Sequence, residues 1–139
     1  MTRLTQRLQV YRCEICGHVI EVLTVGRGTL VCCGVPMKPQ MERGDGQGAD
    51  RHLPVIERTE EGVKVVIGQI AHPMEERHFI HWIEVRQGDT LVRRTFRPGG
   101  RPEAEFQGMG EDAKVRVYCT LHGLWTNRRE EILPVTESS

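Results

Sequence analysis

All five cysteines of this chain and most of its six histidines stand at spacings that suit metal ligation, and they fall into two sets. Cys13 and Cys16 form a C-x2-C, followed by the adjacent pair Cys32 and Cys33, which is enough for a closed tetrahedral thiolate centre. His52, His72 and His78 are followed by Cys119 and His122, a C-x2-H, which together make a mixed nitrogen and sulfur set that can leave a position open. Any fold of this chain must gather residues that lie far apart in sequence into these two clusters.

The length, 139 residues, fits one ordinary domain, or a small module followed by a domain of roughly 95 residues. Nineteen basic and nineteen acidic residues balance, and no run of like charge is five long. A bulk field for nucleic acid or for an anionic membrane is therefore excluded, and electrostatic recognition must be local. Residues 1–12 carry no apolar h-region, and no stretch approaches the roughly 18 apolar residues of a membrane span. The expectation is a cytoplasmic protein, without membrane or nucleic-acid partners. There, an odd number of cysteines with C-x2-C spacing argues for reduced thiolate ligands over disulfides.

From Gln9 to Met37 short β-branched runs are broken by Gly17, Gly26, Gly28 and Gly34, the pattern of two short hairpins with a cysteine pair on each. A segment of under about 40 residues buries too little apolar surface to fold unaided, so the cysteines are expected to fold it around a metal. The glycine-containing stretch from Lys38 to Asp50 lacks apolar periodicity and suits an exposed connection. The expected division is a metal-binding module over 1–41 and a larger domain over 42–139. In the latter, runs such as Leu53–Arg58, Gly62–Gly68, His78–Arg86, Thr90–Phe96 and Ala113–Tyr118 are rich in valine, isoleucine and aromatics, and predict antiparallel strands. A hairpin is expected at Gln87-Gly88-Asp89 and a loop over Arg97–Pro102. With no long 3.6-residue period, the fold class is all-β, a small module followed by an antiparallel β-sandwich.

Four thiolates accept zinc or a single iron, and spacing alone leaves both open. Neighbouring residues of an extended strand point to opposite faces, so Cys32 and Cys33 can share one metal only if the backbone turns there, and Gly34 is placed for such a turn. The motifs Cys13-Glu14-Ile15-Cys16-Gly17 and Val31-Cys32-Cys33-Gly34, with Pro36-Met37, resemble desulforedoxin, a small rubredoxin-type module. That resemblance implies a redox-active iron held by all four cysteines, in a module that dimerises. His18, just outside the motif, reads as an exposed loop residue.

Pro73 forbids a continuous helix between His72 and His78, so a turn must bring that pair together. Strand alternation from His78 puts Ile80, Trp82 and Glu84 on one face and Phe79, His81, Ile83 and Val85 on the other, which removes His81 as a co-ligand of His78. Cys119 and His122 lie on a loop opened by a strand, and His52 begins a strand after the connection. Ligands on several strand edges point to a shared metal. One class of alternative is a non-catalytic electron-transfer or metal-binding protein, with zinc in the first site and copper in the second; four histidines and a cysteine exceed what a blue-copper site uses. A structural interaction domain would leave the C-x2-H cluster unexplained.

The segments around His72–Val85, Cys119–Trp125 and Arg51–Glu57 resemble neelaredoxin and the catalytic domain of superoxide reductase, and residues 9–126 as a whole resemble the desulfoferrodoxin family. The resemblance implies an immunoglobulin-like sandwich with a catalytic non-haem iron bound by His52, His72, His78 and His122 and by an axial Cys119. It further implies one-electron reduction of superoxide to hydrogen peroxide without dismutation, and an electron donor such as rubredoxin. Asp50-Arg51 stands where the family usually has glutamate-lysine. Arg51 keeps a positive charge that would steer superoxide, while Asp50 is one methylene shorter than the glutamate that can reach the oxidised iron.

Overall fold

The computed structural model describes residues 3–128 and 135–136, and the chain divides into two units, one built on residues 1–41 with 130–139 and the other on 42–129. In the first unit, β1 (Arg3–Leu4), β2 (Val10–Arg12), β3 (Val19–Glu21), β4 (Val31–Cys32), β5 (Val35–Pro36) and β6 (Lys38–Pro39) are all two or three residues long. β2 pairs antiparallel with β3 and with β6, and β4 with β5. Each hairpin carries one cysteine pair in or beside its turn. The buried apolar side chains here are Leu8, Val10, Cys13, Val22 and Met37.

The second unit opens with α1 (Ala49–His52), a single turn of helix, and continues through β7 (Pro54–Arg58), β8 (Gly62–Ile67), β9 (Ile80–Gln87), β10 (Thr90–Thr95), β11 (Glu103–Gln107), β12 (Lys114–Cys119) and β13 (Gly123–Thr126). The sheets are β10-β9-β12-β13 and β11-β8-β7, a four-plus-three antiparallel sandwich of immunoglobulin type. β14 (Val135–Thr136) pairs with β1 and so belongs with the first unit. Among the described residues no helix is long and apolar enough to cross a membrane.

Period-two alternation builds the core. Val63, Val65 and Ile67 of β8 share one core with Val115, Val117 and Cys119 of β12, together with Ile83 and Val85 of β9, Phe106 of β11 and Trp125 of β13. β9 departs from plain alternation: Tyr118 pairs with Trp82 but Cys119 pairs with Ile80, so His81 is an extra residue in a bulge. The bulge returns Ile80 to the same core as Ile83 and Val85 and leaves His81 exposed. The expected split, with Ile80 opposite those two residues, therefore fails at one register shift.

On the other face of β12, charged groups are buried. Arg116 Nη2 lies 2.7 Å from Glu84 Oε1, Arg93 Nη2 2.9 Å from Glu84 Oε2, and Lys114 Nζ 2.6 Å from Glu42 Oε1. Glu84 is 1% exposed and Glu42 7%, so the stretch expected to be an exposed connection is fastened to the sandwich from Glu42 onward. Removing one partner from a buried pair leaves the other charge uncompensated. Glu84→Ala is expected to destabilise the second unit by about 3–5 kcal/mol, read from urea unfolding of that unit; a loss under about 1 kcal/mol would show the arginines to be solvated instead.

Candidate metal centres

In the first unit the four cysteine sulfurs lie within 4.8 Å of one another. Gly17 N–H donates to the Cys13 carbonyl at 2.8 Å and Cys13 N–H to that of His18 at 2.9 Å, which closes the C-x2-C loop with Gly17 at φ +85. The turn needed at the adjacent pair is present, with Cys33 at φ 54 and Gly34 at φ 77. Cys16 Sγ is 3.4 Å from Cys32 Sγ, and Cys32 Sγ is 3.9 Å from Cys33 Sγ. Four sulfurs each about 2.3 Å from a tetrahedral ion stand about 3.8 Å apart, so the spacing fits a shared metal.

The thiols also show what an ion would supply. Hydrogen bonding from the Cys16 backbone holds Cys13 down to about 6, while the neighbouring sulfurs of Cys16 and then Cys13 push Cys32 up to about 12. Four thiolates at this spacing need a cation among them. His18 is exposed, as expected, but it is not a bystander: its Nδ1 lies 3.0 Å from Cys16 Sγ.

The second cluster sits at one end of the sandwich, where β7 and β9 begin, β8 and β12 end, and β13 begins. His52 ends α1 instead of opening a strand; glycines at 46 and 48, both at positive φ, turn the chain into that helical turn. His72 and His78 come from the β8–β9 connection, where a bridge between Glu75 and His78 makes the tight turn that returns His78 to His72. Alternation along β12 points Cys119 into the core with Val115 and Val117, and His122 follows in the turn to β13.

The four imidazoles form a closed square. Ring centroids are 4.8 Å apart for His52–His72 and His72–His78, and 4.9 Å for His78–His122 and His122–His52, each ring turned roughly perpendicular to the next, at 70–82°. Cys119 Sγ is 3.3 Å from His72 Nε2 and 3.7 Å from His122 Nδ1, two donors on opposite corners. A sulfur that near to both lies on the axis of the square. Cys119 is fully buried and His122 exposed, so the sulfur caps the core side and the other face of the square is turned toward solvent.

The donor atoms are prepared for a metal. His52 Nδ1–H donates to the Gly48 carbonyl at 2.8 Å and His72 Nδ1–H to the Pro73 carbonyl at 2.6 Å. A carbonyl can only accept, so both Nε2 atoms are bare, yet they face each other across 3.2 Å. Two lone pairs at that range repel unless a cation sits between them; donors at right angles and that far apart share an ion about 2.3 Å from each, close to an ordinary metal–imidazole distance. His78 Nε2 is buried without a hydrogen-bond partner, as a bare ligand would be. Burial holds His52 and His78 below the usual imidazole range and His72 down to about 4, and it pushes the Cys119 thiol up. These three imidazoles are thus neutral at physiological pH, and Cys119 must lose a proton to bind.

A stack outside the ligand square was not anticipated from sequence. Trp125 lies parallel to His52, 4.6 Å away at 9°, and the Arg43 guanidinium covers the indole at 4.0 Å. Trp125 Nε1–H donates to the His122 carbonyl at 3.2 Å. One tryptophan therefore fixes two ligands, and a tryptophan three residues after a C-x2-H histidine was the available signal. Asp50 and Arg51 are exposed on α1 beside His52. Ile70 N–H donates to the Asp50 carbonyl at 3.1 Å, and Gly68 N–H to that of Leu53 at 3.0 Å.

Gly68, at φ +83, allows this approach. A Cβ there would overlap the Ile70 carbonyl oxygen and lie 2.7 Å from that of Arg51, both backbone atoms. Gly68→Ala is expected to push α1 and His52 out of the square, costing about 2 kcal/mol or more. Metal content of the second centre and thermal melting check this; native iron at that centre would show that α1 tolerates the shift.

Comparisons with known proteins agree with this arrangement. The Desulfoferrodoxin family model matches residues 45–128, and the model of the Desulfoferrodoxin N-terminal domain matches residues 5–39. A desulfoferrodoxin homolog from Methanothermobacter thermautotrophicus is 47% identical over 123 residues, 88% of this chain and 99% of that one. Desulfoferrodoxin from Nitratidesulfovibrio vulgaris is 46% identical over 123 residues, 88% and 97% of the two chains. The crystal structure of the superoxide reductase from Treponema pallidum has the same fold, at a TM-score of 0.66 and 23% identity, covering 92% of this chain and 100% of that one. Matches to both units, and near-half identity to relatives along almost their whole length, place the chain in the desulfoferrodoxin family.

Proposed function

We propose that this chain is a superoxide reductase, an oxidoreductase that adds one electron and two protons to superoxide and releases hydrogen peroxide. The observation that carries this reading is the square of four imidazoles, capped on its buried side by Cys119 and turned toward solvent on the other. Both donor sets fit iron, the first as a four-cysteine centre and the second through His52, His72, His78 and Cys119, whose donor atoms cluster, with His122 closing the square. A ferrous ion in the second set supplies the electron and a place for a small anion to bind. The neutral imidazoles of His52, His72 and His78 would leave a bound ion its positive charge, which favours an anionic substrate. A Cys119 thiolate, on the buried side of the square, would raise the electron density of an ion held there.

Arg51, on α1 next to His52, is the candidate steering group, with Asp50 beside it in place of the family's glutamate. The first unit, over 1–41, serves as a separate electron-storing module, and its open Ile15, Leu23 and Val31, exposed by 65%, 72% and 58%, support a homodimer through that unit. The reducing partner is a small redox protein of rubredoxin type, and the setting is cytoplasmic.

The test is rapid mixing of the reduced protein with superoxide. Reduction yields one hydrogen peroxide per superoxide consumed, with one iron oxidised and no oxygen evolved. One peroxide and one oxygen for every two superoxide ions would mean dismutation and would overturn the proposal. Arg51→Ala is expected to slow the second-order step several-fold at low ionic strength and to flatten its salt dependence. An unchanged rate at low salt removes Arg51 from the mechanism.

A further inference from the structure

The His18 side chain stands against the four-cysteine centre in a way that ligation does not account for. Its Nδ1 stands 3.0 Å from Cys16 Sγ and 3.8 Å from Cys32 Sγ, while its backbone carbonyl accepts from Cys13 N–H at 2.9 Å. Gly17, at φ +85, reverses the chain so that residue 18 is folded back over the sulfurs. Two ligands of one tetrahedral ion stand about 3.6 Å apart, and four sulfurs already complete the coordination, so the shorter separation from Cys16 is not that of a fifth ligand. It is the separation of a hydrogen bond. A metal-bound thiolate has lone pairs but no proton, so Nδ1 must be the donor.

We propose that His18 tunes the four-cysteine centre by donating an Nδ1–H hydrogen bond to Cys16 Sγ, shared weakly with Cys32, and so raises its reduction potential. Adding an electron to a four-thiolate iron site increases the negative charge on the sulfurs, and a donor aimed at sulfur stabilises that reduced form more than the oxidised one. His18 is a positioning residue in this role: it touches a ligand, not the metal. The effect would make the first centre easier to reduce and a weaker electron source for the second. The inference rests on iron filling the first centre.

The experiment is a redox titration of the full chain, followed through the sulfur-to-iron charge-transfer bands, for the native protein, His18→Ala, His18→Phe and His18→Asn. Phenylalanine keeps a ring over the sulfurs without a donor, and asparagine restores an N–H near the Nδ1 position. The alanine and phenylalanine variants are expected to titrate at more negative potential with bands moved to lower energy. The asparagine variant should return toward native, and the second centre's potential should not move in any of them. A native potential in the phenylalanine variant overturns the hydrogen bond, as does an asparagine variant no closer to native than alanine. A native first centre with zinc and no redox signal would overturn the iron reading itself, and the tuning role with it.

Discussion

Replacing Cys119 by serine is expected to abolish superoxide reduction while leaving the first centre and the fold in place. Cys119 is fully buried, belongs to the sandwich core, and alone among the cysteines lies on the axis of the histidine square. Serine is nearly the same size, so the core loses little and Ile80 and Val117 need not move. What changes is the donor: a hydroxyl is not deprotonated at neutral pH, so the ion loses the anionic ligand behind the substrate position. Changing even a partner behind a ligand typically costs 10–100-fold, so losing the axial ligand should lower the second-order rate by more than about a hundredfold. The visible spectrum checks the assignment independently of rate. The sulfur-to-iron band of the second centre should vanish while the bands from Cys13, Cys16, Cys32 and Cys33 survive. A variant that retains both sets of bands would mean that Cys119 is not a ligand.

The sandwich was legible because its strands obey simple alternation. Gly62–Ile67 and Lys114–Cys119 each place every second residue in the core, and the hairpin at Gly88-Asp89 follows from glycine between two β-branched runs. The donor residues were legible for a different reason: metal ligands are few residue types, and here their spacing is all that the chemistry requires. What could not be read depends on contacts between distant segments. The bulge at His81 exists because Cys119 must pair with Ile80 while Tyr118 pairs with Trp82, a register that neither strand encodes alone. The helical turn at His52 is held by Gly68, sixteen residues further on, through backbone approach. Glu42 and Arg43 sit in a stretch with the composition of a linker, yet one meets Lys114 and the other covers Trp125, because buried charge and a flat indole face were waiting on β12 and β13. His18 looked like an ordinary loop residue, since nothing local says that a glycine at positive φ folds it back onto sulfur.

Removing the metal from the first centre is expected to unfold the first unit and spare the second. Among the described residues no strand there exceeds three residues, and the buried apolar side chains are Leu8, Val10, Val22, Met37 and Cys13, the last itself a ligand. Each such side chain contributes about 1.5–3 kcal/mol on burial, which cannot order a segment of this length, while a structural metal contributes about 10 kcal/mol or more in comparable small domains. The second unit does not depend on its metal in this way, since thirteen residues from Val63 to Trp125 form a continuous core between two sheets. Hydrogen exchange of a Cys13→Ser/Cys16→Ser chain separates the two. Amides of residues 10–39 should exchange at nearly unprotected rates, while those of β8, β9 and β12 stay slow. Native protection of β2 and β3 in that variant would show that the hairpins fold on packing alone, and that the four cysteines serve electron transfer without serving the fold.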